Sequence, residues 1–165
     1  MKQQLGSALV CLSLAACVPP QPPAPPVERS TTTVAASFGQ TWDAVIDWFA
    51  TKNIPIRNVE RASGLIVAEP MKMGLGLREA HTQKFADCGT DFMGTRGVPT
   101  DAIYNVLVRG DSAQSTVRMT VRYVAADAST TKTCSTMGTF ETEAETMIKQ
   151  NAEAKAANRR LTTPP

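Results

Sequence analysis

Residues 115–125 read Ser-Thr-Val-Arg-Met-Thr-Val-Arg-Tyr-Val-Ala, and this stretch restricts the fold more than any other. Val117, Met119, Val121 and Tyr123 point one way, while Arg118, Thr120 and Arg122 point the other. Side chains alternate along a strand with period two, so this is a strand with one face on a core and one in water. Such a strand belongs to an antiparallel sheet covered on one side.

Its neighbours follow from the same pattern. Ala102 to Arg109 is a run of β-formers, and Gly110-Asp111-Ser112-Ala113-Gln114 turns it back. Lys132 to Ser135 is a third run, carrying Cys134. Upstream, Ile54 to Val59 and Leu65 to Ala68 form a hairpin across the turn Arg61-Ala62-Ser63-Gly64. Phe85-Ala86-Asp87-Cys88 is a short strand, while residues 70–83 and 93–100 read as loops.

Two amphipathic helices flank these strands. Ser37 and Gln40 have the spacing of a capping box. Phe38, Trp42, Val45, Ile46 and Phe49 then mark one helix face, expected to be core and to end near Lys52-Asn53. After Gly138, Thr139 can cap a second helix whose Phe140, Ala144, Met147 and Ile148 repeat that spacing, with Glu141 and Glu143 at its positive end. The predicted fold is α+β: a two-layer antiparallel sheet with N- and C-terminal helices packed on one face. The domain is expected over 37–150, and 151–165 is expected to be a disordered tail.

The N-terminus reads as an address. Lys2 precedes an uncharged apolar run, Leu5 to Ala16, too short to span a bilayer and suited to a signal peptide. Leu14-Ala15-Ala16-Cys17 resembles a bacterial lipobox; the alternatives are an ordinary secretory signal that happens to end in Cys, or an unremoved anchor. The resemblance implies removal of residues 1–16 and lipidation of Cys17; with Val18 rather than Asp next, it implies an outer-membrane location on the periplasmic side. Residues 19–26, Pro-Pro-Gln-Pro-Pro-Ala-Pro-Pro, favour polyproline II. Residues 17–36 are thus expected to be the lipidated Cys and a semi-stiff tether, at most roughly 60 Å long. A ligand for a proline-reading module is the alternative.

Of four cysteines, Cys11 would leave with the leader and Cys17 would be acylated. In an exported chain the remaining two are expected to form a Cys88–Cys134 disulfide, contributing about 4 kcal/mol by loop closure, rather than stay free thiols. The chain has 17 basic and 15 acidic residues; loss of Lys2 with the leader leaves 16 against 15. Nothing in that balance draws nucleic acid.

Phe38-x-x-x-Trp42-x-x-Val45-Ile46, then Ile54-Pro55-Ile56, then Ser63-Gly64-Leu65-Ile66 resemble the helix-grip domains of the outer-membrane assembly lipoprotein BamC, over residues 37–69. The later elements are compatible in order. The Cys88/Cys134 pair and the single domain depart from that family. The resemblance implies a helix-grip-like fold, an envelope location and a role in outer-membrane protein assembly.

Reactive constellations are scarce. His81 is the single histidine; Glu79, His81, Asp87 and Cys88 have no zinc-site spacing, and Gly74-Leu75-Gly76 lacks a strand-to-helix setting. Asp87, Asp91 and Asp101 form no calcium loop. No catalytic residue, metal or cofactor is expected. Arg57, Arg109, Arg118 and Arg122 are the candidate partner surface, on or near the uncovered sheet face. The expected function is that of a membrane-anchored, non-enzymatic accessory or scaffold in an envelope protein complex, for assembly or secretion. The alternative is a module holding an apolar ligand between sheet and helices.

Overall fold

The computed structural model describes residues 19–73, 84–91, 93–126 and 130–162, apart from the side chain of Arg160. The lipobox with Cys17, the Gly74-Leu75-Gly76 segment, Glu79 and His81 lie outside the described residues.

Eight strands and two helices carry the described fold. The strands are β1 (Thr32–Val34), β2 (Ile56–Glu60), β3 (Leu65–Ala68), β4 (Met71–Lys72), β5 (Ala86–Asp87), β6 (Asp101–Gly110), β7 (Ser115–Ala126) and β8 (Thr131–Thr136). The helices are α1 (Phe38–Thr51) and α2 (Thr139–Thr162). The sheet order is β2-β3-β6-β7-β8-β5, with β1 also paired to β7 and β4 to β6, and every pairing is antiparallel. Both helices cover one face. The two-layer α+β arrangement expected from the sequence is the one observed.

The strand alternation is realised along β7, where Val117, Met119, Val121 and Tyr123 are buried and Arg118, Thr120 and Arg122 are exposed. Opposite it, Ala102, Tyr104, Val106 and Val108 of β6 face the same core. Fully burying side chains such as Val117 and Val106 contributes about 1.5–3 kcal/mol each before ordering costs are subtracted.

Helix α1 starts as its sequence requires. The Ser37 N–H donates to Gln40 Oε1 at 3.0 Å and the Gln40 N–H to Ser37 Oγ at 3.4 Å, completing the capping box. The Phe38 N–H donates to Asp111 O at 2.8 Å, tying the helix start to the β6–β7 turn. The helix ends where Asn53 takes φ +51° and the Ile54 N–H closes on Phe49 O at 3.0 Å. Trp42, Val45 and Phe49 are buried as expected, while Phe38 and Ile46 are half-buried. Trp48 joins the core from beside the expected stripe, edge-on to Phe49 and Phe140.

The β2–β3 hairpin depends on Gly64. It adopts φ +67°, and a Cβ there would lie 2.0 Å from Val108 O. Its carbonyl accepts from the Val108 N–H at 2.8 Å. Only glycine lets the hairpin turn lie this close to β6.

Two expected boundaries are corrected. The segment expected to be tether through residue 36 already belongs to the fold at its end: β1 pairs with β7, and Val34 and Ala36 are buried. The tail expected from residue 151 is helix through Thr162. Ala152 and Ala156 extend the buried row of Glu141, Ala144, Glu145 and Ile148, whereas Met147 is exposed. The apolar periodicity of this row is weak because it is built largely from glutamates and alanines rather than large aliphatics. Thr139 is itself the first helical residue; Gly138, at φ +76°, supplies the carbonyl that accepts from the Thr142 N–H at 3.0 Å.

Candidate functional site

The two faces of the sheet are chemically unlike. On the covered face, Val45, Phe49, Ile66, Val106, Val108, Val117 and Ile148 are fully buried and fill the space between helices and sheet. On the other, cross-strand register builds ladders of residues. Glu60, Leu65, Leu107 and Arg118 stand in one row across β2, β3, β6 and β7. Asn58, Val67, Asn105 and Thr120 form the next, and Ile103 lies opposite Arg122 in a third. Leu65, Val67, Ile103 and Leu107 are only half-buried, so an aliphatic strip runs beside the arginines.

The candidate arginines are not one cluster. Arg118 and Arg122 share the outer face of β7, four residues and so roughly 13 Å apart along the strand. Arg109 lies opposite Thr116, next to Arg118 on the same face. Arg57 sits in the irregularity between Ile56 and Asn58 on the edge strand β2, with β3 and β6 between it and β7. The structure brings together Arg109, Arg118 and Arg122 and leaves Arg57 apart.

The other feature lies at the β5–β8 end. Cys88 and Cys134 form a disulfide, as expected. It pins the segment after β5 to β8, and Gly97 packs on it so closely that a Cβ would meet Cys88 Cβ at 2.9 Å. The loop is closed by the Gly97 N–H donating to Gly89 O at 2.9 Å and the Asp91 N–H to Thr95 O at 3.0 Å.

Against this loop lies the proline-rich segment, which the sequence leads one to expect as a semi-stiff tether. The Thr90 N–H donates to Gln21 O at 2.9 Å, and the Gln21 N–H donates to Thr90 Oγ1 at 3.2 Å. The Ala24 N–H donates to Asp87 Oδ2 at 2.8 Å, while Asp87 Oδ1 accepts from the Gly89 N–H at 2.9 Å. These bonds, the one from Ala24 first, hold the Asp87 carboxyl below its ordinary value, with Arg96 adding to the effect. A cleft of about 570 Å³ opens between Gln21-Pro22 and this loop.

Two buried carboxylates also escaped sequence reasoning. Glu145 pairs with Arg29 at 3.0 Å, accepts from Thr32 Oγ1 at 2.5 Å and accepts from the Met119 N–H at 2.7 Å. Glu141 accepts from Thr136 Oγ1 at 2.6 Å; its Oε2 has no partner among the described residues. Burial, with Glu141 nearby, pushes the Tyr104 hydroxyl up to about 12 and raises that of Tyr123 further. Among the described residues, no group of three or more His, Cys, Asp or Glu side chains is placed to hold a metal ion.

No protein-family model matches this chain, and no curated protein sequence matches it significantly.

Proposed function

We propose that this protein is an envelope lipoprotein, anchored through Cys17 on the periplasmic side of the outer membrane. In this reading it works without catalysis, as an accessory in an envelope protein complex, and its docking surface is the open sheet face. The observation that carries this reading is the difference between the two faces. Both helices lie on one, and the other presents the strip of Leu65, Val67, Ile103 and Leu107 beside Arg109, Arg118 and Arg122. Aliphatic groups flanked by arginines suit a protein partner with acidic and apolar side chains.

The Cys88–Cys134 disulfide is in keeping with an oxidising compartment. The lipobox supplies the address and the resemblance to BamC the assembly context. No helix among the described residues is long and apolar enough to cross a membrane, which is neutral for a lipid-anchored chain.

The test is photo-crosslinking in intact membranes from a reactive residue placed at Thr120, between the two β7 arginines. A discrete crosslinked protein, lost with Arg118→Glu and Arg122→Glu together, is the expected result. Capture unaffected by that pair, or no capture from Thr120 when the opposite helix surface captures, overturns the docking face. Cys17→Ser should release the chain from membranes; retention without lipid labelling overturns the anchor.

A further inference from the structure

Residues 19–26 contain only two backbone N–H groups, those of Gln21 and Ala24, because every other residue there is proline. Three residues is one turn of polyproline II, so this spacing sets both donors on the same side of such a helix. Both are used: Gln21 N–H donates to Thr90 Oγ1 and Ala24 N–H to Asp87 Oδ2. A third bond returns from the Thr90 N–H to Gln21 O.

The receiving loop is shaped for close approach. Gly89 holds φ +72°, and a Cβ there would fall 2.3 Å from Gln21 O and 3.0 Å from Pro23 N. Asp87 divides its two oxygens, one ordering its own loop and one taking the strap. The disulfide fixes the residue between Asp87 and Gly89. Proline-rich ligands are commonly read by aromatic grooves, yet among the described residues no aromatic side chain lines this cleft. Recognition here is by hydrogen bonds to the two available N–H groups and by the absent side chain at Gly89.

We propose that Asp87, Gly89 and Thr90 form a recognition site for a proline-rich segment bearing an N–H at every third residue, and that its occupant is this chain's own strap. Covalent linkage raises the strap's local concentration well above that of a free peptide. Taken with the proposed anchor at Cys17, on which this consequence rests, docking limits the domain's reach. Gln21 is only four residues beyond Cys17, roughly 12 Å of chain. With the strap released, the next fixed point is Arg29, held by Glu145, which lengthens the tether to roughly 37 Å. Docking therefore keeps the disulfide end of the domain against the membrane surface.

The test uses the full lipidated chain in phospholipid vesicles, read by amide hydrogen exchange. The Thr90 amide is expected to be protected, and the Gln21 and Ala24 amides to exchange at least about tenfold more slowly than in a free peptide. Gln21→Pro with Ala24→Pro keeps a polyproline segment but removes both donors. It should accelerate exchange at Thr90 about tenfold while leaving the α1 amides unchanged. Thr90→Val should free the Gln21 amide in the same way. Random-coil exchange at Gln21 and Ala24 in the unaltered chain, or unchanged exchange at Thr90 in the double-proline variant, overturns the site. Protection that depends on protein concentration overturns the own-strap occupant in favour of exchange between copies. Neutron reflectometry on a supported bilayer reads the standoff separately, and the double-proline variant should lift the domain by up to roughly 25 Å. Faster exchange with no lift overturns the standoff, but neither the recognition site nor the anchor, which Cys17→Ser tests.

Discussion

Glu145 of α2 and Arg29, on the segment entering β1, form an ion pair at 3.0 Å with both side chains largely buried. Arg29 also donates to Met119 O at 3.3 Å, and its stem crosses Gly138, where a Cβ would lie 2.8 Å from Arg29 Cδ. One carboxylate thus joins the N-terminal segment, β7 and α2. The expected tether is fixed to the domain here, as well as at Asp87 and Thr90.

Glu145→Ala should be among the most damaging single substitutions. It leaves the Arg29 guanidinium buried without its charge partner and removes the acceptors of Thr32 Oγ1 and the Met119 N–H. Breaking a buried pair in this way costs about 3–5 kcal/mol. Urea unfolding checks it, and a loss under 1 kcal/mol would show that the junction carries little.

Reduction of Cys88–Cys134 should lower stability by about 2–4 kcal/mol. The effect should concentrate at the β5–β8 end, because among the described residues β5 pairs only with β8. Amides at Gly97 and Asp91 should lose protection before those of β6 and β7. Uniform loss across the sheet would contradict the local role.

Gly64→Ala should destabilise the domain by about 1–3 kcal/mol through the left-handed backbone alone. The overlap with Val108 O adds to this. By contrast, Gly94→Ala meets no neighbour among the described residues within 4 Å of the added Cβ, which leaves the backbone cost of φ +75°. Thermal melts of the two variants compare the terms, and equal losses would remove the β6 contact as a cause.

Alkali should reveal the buried tyrosines. The folded Tyr104 holds its proton up to about 12, against 10.0 for a free side chain. Tyr123 holds its proton more tightly still. Between these values the unfolded chain has released protons that the folded one retains. This contribution to stability is complete below about pH 10 and is lost as pH rises toward 12. Ultraviolet titration should show both tyrosines ionising with unfolding; ordinary ionisation near pH 10 in the folded protein would place them in water.

Local patterns made much of the fold readable. Ser37 and Gln40 announced α1, Gly64 the hairpin, and the residues from Val117 to Tyr123 the central strand. Each signal acts within a few residues, where capping, turn geometry and strand alternation operate. The face carrying Arg118 and Arg122 was readable for the same reason, but the separation of Arg57 from it required the strand order. From the sequence, Glu141 stands only at the positive end of α2 and Glu145 has no role, because glutamate is rarely buried. They are inside because Thr136, Thr32, Met119 and Arg29 reach them from distant parts of the chain.

The sequence by itself determined the class of elements, the covered and open faces of β7, and the period-three placement of N–H groups among the prolines. Tertiary structure alone decided that those N–H groups meet Asp87 and Thr90, and that Thr32 to Val34 enter the sheet. The reason is physical. Propensity and periodicity act over one or two turns, whereas a strap or a buried ion pair exists only when remote acceptors are held at bonding distance by the packed sheet and the disulfide.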